Sequence, residues 1–286
     1  MKILSVYNRY ARRGGEDEVF EQEAKLLRSY GHLVLTLEAS IPEVDRLYKR
    51  ITAAVRVVWN ESWRRRISYL MRRERPDVVH IHNWFPTMSP AILWAVKEFK
   101  TPIVVTLHNY RLLCVNALLF REDRICEECL ARIPWRGVIY GCYHGRSTSL
   151  AVAGMLLVHR TIGTWRLVDR FIALTEFARR KFIEGGLPAE KIVVKPNFVH
   201  PDPKSGDHKE NFALFVGRLS VNKGVRTLLS AWRLLKDVPL KIVGDGPLIG
   251  EVRERVAREG LAVEVLGRRS REEVFALMRS ASFLLF

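Results

Sequence analysis

Short apolar runs recur along the chain, and between them apolar residues fall at helical spacing. Lys2–Tyr7 reads as a strand, and Glu16–Tyr30 as a helix with Val19, Phe20, Ala24 and Leu27 on one face and Gly31 as its stop. Leu33–Leu37, Val78–His82 and Ile103–Leu107 read as further strands separated by helical stretches. Ser149–Val168 is expected as one long helix, followed by strand Phe171–Leu174, helix Glu176–Glu184 and strand Ile192–Lys195. Apolar strands alternating with helices imply a parallel sheet covered on both faces.

The pattern then breaks. Pro196, Pro201, Pro203 and Gly206 stand among mostly polar residues, and this stretch reads as a linker. The expected organisation is an N-terminal domain over residues 1–197, a linker over 198–210 and a second domain over 211–286. Alternation resumes with strand Phe212–Val216, helix Gly224–Leu235, strand Leu240–Val243, helix Leu248–Arg258, strand Val263–Leu266 and helix Arg271–Ser280. Phe283–Phe286 begins a fourth strand. The fold class is α/β, with two doubly wound, Rossmann-like domains, the second incomplete.

A chain of 286 residues, 48% of them apolar, can fill two such cores. No signal peptide and no bilayer-spanning stretch are evident, so the expectation is a soluble, cytoplasmic protein. The formal net charge of +16 calls for an anionic partner. It is concentrated: Arg46, Lys49, Arg50, Arg56, Arg64, Arg65, Arg66, Arg72, Arg73 and Arg75 face only Glu61 and Glu74. Leu47, Ile51, Val55, Val58, Trp59, Trp63, Ile67 and Leu70 interleave with them at helical spacing. A basic amphipathic helix pair of this kind suits an anionic membrane surface, or else a helix packed on the sheet with a solvated basic face. No nucleic-acid module accompanies the charge, so nucleic acid is not the expected partner.

The chemistry concentrates in Phe212-Ala-Leu-Phe-Val-Gly-Arg-Leu-Ser-Val-Asn-Lys-Gly224 and Val243-Gly-Asp-Gly-Pro247. A strand ending in Gly217 delivers Arg218 and Lys223 to the carboxyl end of a parallel sheet, where open α/β sheets bind ligands. Arg offers a planar fork and Lys a point charge, a pair suited to a diphosphate. Gly244, Asp245 and Gly246 form the turn after the next strand. Together these residues resemble the donor-binding half of glycosyltransferase family 4, the retaining GT-B enzymes that use nucleotide-diphosphate sugars.

That resemblance implies two domains facing a cleft, transfer of a sugar to a lipid- or polysaccharide-linked acceptor of the cell envelope, and peripheral attachment to the inner membrane face. It implies no catalytic metal, because Arg218 and Lys223 would stabilise the leaving diphosphate. The family's Glu-x7-Glu motif lies beyond Phe286, and Asn222 stands where many relatives have Glu. The alternative is therefore a truncated, catalytically inactive member acting at most as a binding module. A second domain of this size is also expected to be weakly held and aggregation-prone, with Phe283–Phe286 as an unpaired apolar edge.

In the first half, Gly14 and Gly15 follow the first strand and open the first helix within Arg12-Arg-Gly-Gly-Glu-Asp17. Adjacent glycines permit positive φ and close backbone approach, and a helix N-terminus favours anions. The run Arg13-Gly-Gly-Glu-Asp-Glu-Val-Phe-Glu-Gln-Glu23 resembles the family loop that faces the cleft and touches the transferred sugar or diphosphate. His108, in Val105-Thr-Leu-His-Asn-Tyr110, ends a strand and resembles the family's Thr-x-His segment, which implies contact with a sugar hydroxyl or the acceptor proton. His82 is a second, weaker candidate. His80 and His82 are read as pointing to opposite faces of their strand, which argues against a shared metal.

Cys114, Cys126, Cys129 and Cys142 are spaced C-x11-C-x2-C-x12-C within an insert spanning about residues 110–145. A C-x2-C knuckle with two further cysteines can give a tetrahedral thiolate site, and this polar segment has little core of its own. Structural zinc is the favoured reading, with free or redox-active thiols and disulfides as alternatives.

Overall fold

The protein is described from a computed structural model. The structure describes residues 1–9, 14–40, 47–204, 206, 209–235 and 237–286, and the side chains of residues 47–51 are not included. Arg12, Arg13 and Arg46 lie outside the described residues, as do the side chains of Leu47, Lys49, Arg50 and Ile51. The chain divides into two compact units, Met1–His200 and Pro201–Phe286.

The first unit runs β1 (Lys2–Arg9), α1 (Gly15–Ser29), β2 (Leu33–Ser40), α2 (Leu47–Val58), α3 (Glu61–Glu74), β3 (Val78–Ile81), α4 (Ala91–Lys97) and β4 (Ile103–Leu107). It continues through the hairpin β5 (Phe120–Arg121) and β6 (Arg124–Ile125), then α5 (Trp135–Ile139), α6 (Arg146–Thr161), β7 (Arg170–Ala173), α7 (Glu176–Glu184) and β8 (Ile192–Val194). The sheet order is β2-β1-β3-β4-β7-β8, with parallel pairing at each β1, β3, β4 and β7 junction. The chain leaves β1 toward β2 and returns to β3 on the other side of β1, so a topological switch point lies between β1 and β3.

Burial on both faces explains the strand pattern: Leu4, Val6, Val79, Ile81, Ile103, Val105, Phe171 and Ala173 all lie in one core. β1 and β2 run past their expected ends because the ladder continues from Lys2–Leu33 to Arg9–Ser40. The Arg9 guanidinium pairs with Glu38 across that extension.

The expected helix over Ser149–Val168 is instead two elements. α6 stops at Thr161, Gly163 takes a left-handed φ of +71°, and a 3-10 turn follows over Thr164–Leu167. The buried His159 ring joins the pieces, with Nδ1 2.7 Å from Thr164 Oγ1 and Nε2 2.8 Å from the Val58 carbonyl of α2.

The basic helix pair forms as expected, with Asn60 capping α3 by accepting the Trp63 N–H. Its apolar stripe faces inward: Ile67 and Met71 are in the core, and Trp63 and Leu70 pack against it. Arg65, Arg66, Arg72 and Arg73 are exposed. α3 packs on the core, and the pair leaves both charge and the exposed Val55, Trp59 and Tyr69 side chains outward. Among the described residues no helix is long and apolar enough to cross a membrane.

The second unit runs β9 (Glu210–Val216), α8 (Val225–Trp232), β10 (Leu240–Val243), α9 (Ile249–Glu259), β11 (Val263–Gly267), α10 (Arg271–Ser280) and β12 (Ala281–Leu285). All neighbours in its sheet, β11-β10-β9-β12, are parallel. Alternate residues of β9 feed separate cores, Ala213 and Phe215 on one face and Phe212 and Leu214 on the other. β12 is an edge strand, and Phe283 and Leu284 are exposed there.

Candidate active site

In the second unit β9 ends at Val216 and Gly217 follows it, beside the switch point between β9 and β12. A 3-10 turn over Val221–Lys223 follows, and Gly224 at φ +68° turns the chain into α8. This loop is tied by three backbone bonds to the Val243–Leu248 segment that contains the Gly244-Asp245-Gly246 turn. Gly217 N–H donates to Val243 O at 3.0 Å, Leu219 N–H to Asp245 O at 3.0 Å, and Leu248 N–H to Leu219 O at 3.0 Å. Arg218 and Lys223 are both exposed, and neither meets a carboxylate among the described residues. Two unneutralised cations on a loop held by its neighbour suit a polyanionic ligand.

In the first unit Gly14 precedes α1 with extended backbone, φ −142° and ψ −169°. Neither Gly14 nor Gly15 has positive φ, and a Cβ on either would meet nothing within 4 Å. The positive φ that adjacent glycines permit is not used here; they leave open space before the helix. Asp17 already accepts the Gly14 N–H at 2.8 Å and pairs with Arg9 at 3.2 Å, so this helix end carries its own anion.

At the carboxyl ends of β3 and β4 three histidines converge. His82 Nδ1 lies 3.1 Å from His108 Nε2, and the His80 and His82 rings lie 4.2 Å apart. The expectation that His80 and His82 point to opposite faces is wrong. Residues two apart in an extended chain return to the same face, and both rings face Glu23 of α1. Glu23 Oε1 is 3.6 Å from His80 Nδ1, and Oε2 is 4.0 Å from His82 Nε2. Burial holds the His80 ring neutral with a pKa of about 3 and the His108 ring at about 4, and pushes His82 well below the usual range. These contacts with Glu23 are accordingly not ion pairs at neutral pH. Lys195 supplies the counter-charge, its Nζ 3.3 Å from Glu23 Oε2.

His108 thus presents a neutral ring beside Asn109, whose amide donates to Glu16 Oε1 at 3.0 Å. Burial raises the Glu16 carboxyl, with the Asn109 bond opposing it. A neutral imidazole can hydrogen-bond a hydroxyl in either sense. Glu16 and Glu23 were not singled out from the sequence. Their signal was present: they share with Phe20 an i, i+4, i+7 stripe, so two carboxylates lie along the buried face of α1.

The four cysteines converge on one pocket in the insert, which Arg121 and Tyr140 also line. A hairpin with left-handed Glu122 (φ +49°) and Asp123 (φ +61°) delivers Cys126, whose N–H donates to Leu119 O at 2.9 Å. All four are free thiols, and burial pushes Cys129 up to about 11. Among the described residues, the three ligand atoms lying within 4.8 Å of one another belong to Glu23, His80 and His82, not to the cysteines.

Comparison with known proteins agrees with this architecture. The family model for Glycosyltransferase Family 4 matches residues 6–203, and that for Glycosyl transferases group 1 matches residues 200–286. The chain belongs to glycosyltransferase family 4. It is 33% identical over 120 residues to MJ1178, an uncharacterised glycosyltransferase of Methanocaldococcus jannaschii. That match covers 41% of this chain and only 33% of the relative. A glycosyltransferase from Rickettsia africae ESF-5 superposes with a TM-score of 0.59 at 16% identity, over 99% of this chain and 72% of the other. Anabaena Alr3699/HepE, solved in complex with UDP-glucose, gives 0.57 at 18%, over 99% and 73%. The fold is the GT-B class, with two Rossmann-like units.

Proposed function

We propose that this chain carries the donor-diphosphate site of a retaining glycosyltransferase, with Arg218 and Lys223 holding the diphosphate of a nucleotide sugar. The observation that carries this reading is the pair of exposed, unneutralised cations on a loop hydrogen-bonded to Gly244-Asp245-Gly246 at the carboxyl end of β9. The UDP-glucose complex of the HepE neighbour supports the ligand class.

In the reaction the acceptor oxygen bonds to the anomeric carbon as the bond from that carbon to the diphosphate breaks. A departing phosphate oxygen takes the acceptor proton. Charge builds on the leaving group, and one cation at about 4 Å contributes a Coulomb attraction of roughly 4 kcal/mol before desolvation. Nδ1 of the neutral His108 ring, the nitrogen not engaged with His82, is assigned to a sugar hydroxyl. The exposed arginines of α3 favour an acceptor at an anionic membrane surface, of lipid- or polysaccharide-linked type. The four-cysteine pocket is assigned to one structural zinc ion.

Titration of the full chain with UDP-glucose by calorimetry tests the donor site. Binding is expected, and Arg218→Ala or Lys223→Ala should weaken it roughly tenfold or more, the scale of one charge-assisted contact. Where transfer is observed, either variant should slow it about 10²–10³-fold. Undiminished binding and turnover in both variants would remove these residues from the site.

A further inference from the structure

We infer that Glu23, His80 and His82 form a binding site for one divalent late first-row transition ion, zinc in type, at the switch point of the first sheet. The geometry is that of a preformed ligand set. Glu23 and the two rings place one oxygen and two nitrogens within 4.8 Å of one another. Glu23 lies 3.6 Å from His80 Nδ1 and 4.0 Å from His82 Nε2. Bonds of 2.0–2.1 Å in a tetrahedral site need ligand atoms about 3.3 Å apart, so an ion would have to draw the two Glu23 contacts in by roughly 0.3 and 0.7 Å, and the set as a whole by up to about 1.5 Å.

Each ring already has an outer partner of the kind that metal-binding histidines use. His80 Nε2 is 2.8 Å from Thr106 Oγ1, and His82 Nδ1 is 3.1 Å from His108 Nε2. Donation through those nitrogens leaves lone pairs on His80 Nδ1 and His82 Nε2, both facing Glu23. His82 Nε2 is buried with no hydrogen-bond partner, and the side chain is 1% exposed. A buried acceptor without a partner costs free energy, and an ion at this point would satisfy it.

Lys195 is the competitor and the entrance. Its side chain is 39% exposed and neutralises Glu23 from the solvent side. The ring of Phe198 lies 5.1 Å from the ammonium and offers it an alternative rest when an ion takes the carboxylate. Two imidazoles and one carboxylate suit zinc, cobalt or nickel better than magnesium or calcium. The ion would fix His82, and through it the orientation of His108.

Cobalt(II) is the probe, added to the full chain after chelator treatment. Nitrogen and oxygen ligation gives visible absorption without the near-ultraviolet thiolate band that the cysteines would produce. A saturable thiolate-free component is expected, absent in His82→Ala and in the near-isosteric Glu23→Gln, with zinc displacing it. It should persist in Cys126→Ser/Cys129→Ser. Lys195→Met should tighten it by about tenfold or more, since a neighbouring positive charge is removed. Circular dichroism confirms that each variant is folded. A wild-type spectrum containing only thiolate bands, or unchanged cobalt binding in folded Glu23→Gln, overturns the site. Neither outcome bears on donor binding by Arg218 and Lys223.

Discussion

A Cβ on Gly244 would stand 1.8 Å from the carbonyl oxygen of Gly217, and Gly244 itself sits at φ +141°. The strand end that presents Arg218 therefore touches the neighbouring turn backbone to backbone, with no room for a side chain. Gly244→Ala should displace both loops and destabilise the second unit by about 2 kcal/mol or more. Gly224, at φ +68° with open space around it, is the matched comparison; alanine there should cost only about 1–2 kcal/mol of backbone strain. Urea unfolding of the full chain, followed by limited proteolysis of the second unit at each urea concentration, measures both. Equal midpoints for wild type and Gly244→Ala would contradict the close approach.

The four cysteines predict one zinc per chain in the Glu23→Gln variant purified without chelator, in which the histidine site is removed. Elemental analysis reads the stoichiometry, and a thiol reagent should find the cysteines protected until metal is removed. Zinc well below one per chain, with four freely reacting thiols, would refute the assignment. Cys129→Ser should lower the melting temperature of the first unit, because metal ligation would tie the β5–β6 hairpin to the core-packed segment around Val115 and Val138.

The outward arginines of α3 predict salt-sensitive binding to anionic vesicles. Each basic residue near such a surface contributes about 1 kcal/mol at low salt. Glu61 offsets part of this: hydrogen bonds from Arg64 and Arg65 hold its carboxyl down at about 2, so it stays charged. Arg65→Glu/Arg66→Glu should abolish sedimentation with anionic vesicles. Ile67 and Met71 are buried, so a salt-independent part of the affinity would come from the exposed Val55, Trp59 and Tyr69. Equal binding to neutral and anionic vesicles would defeat the claim.

Burial lowers the pKa of His159 below its ordinary 6.5, with the Val58 carbonyl contact opposing the shift. Above pH 6.5 the ring is neutral in both folded and unfolded chains. As pH falls below that value the unfolded chain binds a proton that the folded one refuses, so stability declines toward the depressed folded value. The limiting slope is about 1.4 kcal/mol per pH unit for this one proton. His159→Gln should be less stable at pH 7 yet show a shallower loss between pH 6.5 and 5. Parallel stability–pH curves for the two proteins would show that His159 does not titrate in this way.

Much of the architecture was legible in the chain because its causes are local. Runs such as Val79-His-Ile81 and Phe212–Val216 are apolar enough to be strands buried on both faces, and helical periodicity marks the segments between them. The placing of Arg218 and Lys223 also followed from order alone, since a residue just past a parallel strand must reach the sheet's carboxyl end.

Other features needed partners distant in sequence. β1 extends to Arg9 only because β2 pairs with it, and the long helix breaks at Gly163 where His159 bonds Thr164 and Val58. Whether the stripe of α3 faced lipid or protein was undetermined until the core accepted Ile67 and Met71. Glu23 and His82 lie 59 positions apart, and only the packing of α1 over β3 at the switch point sets them 4.0 Å apart. Local propensity determined which elements form; burial and long-range pairing decided which side chains meet.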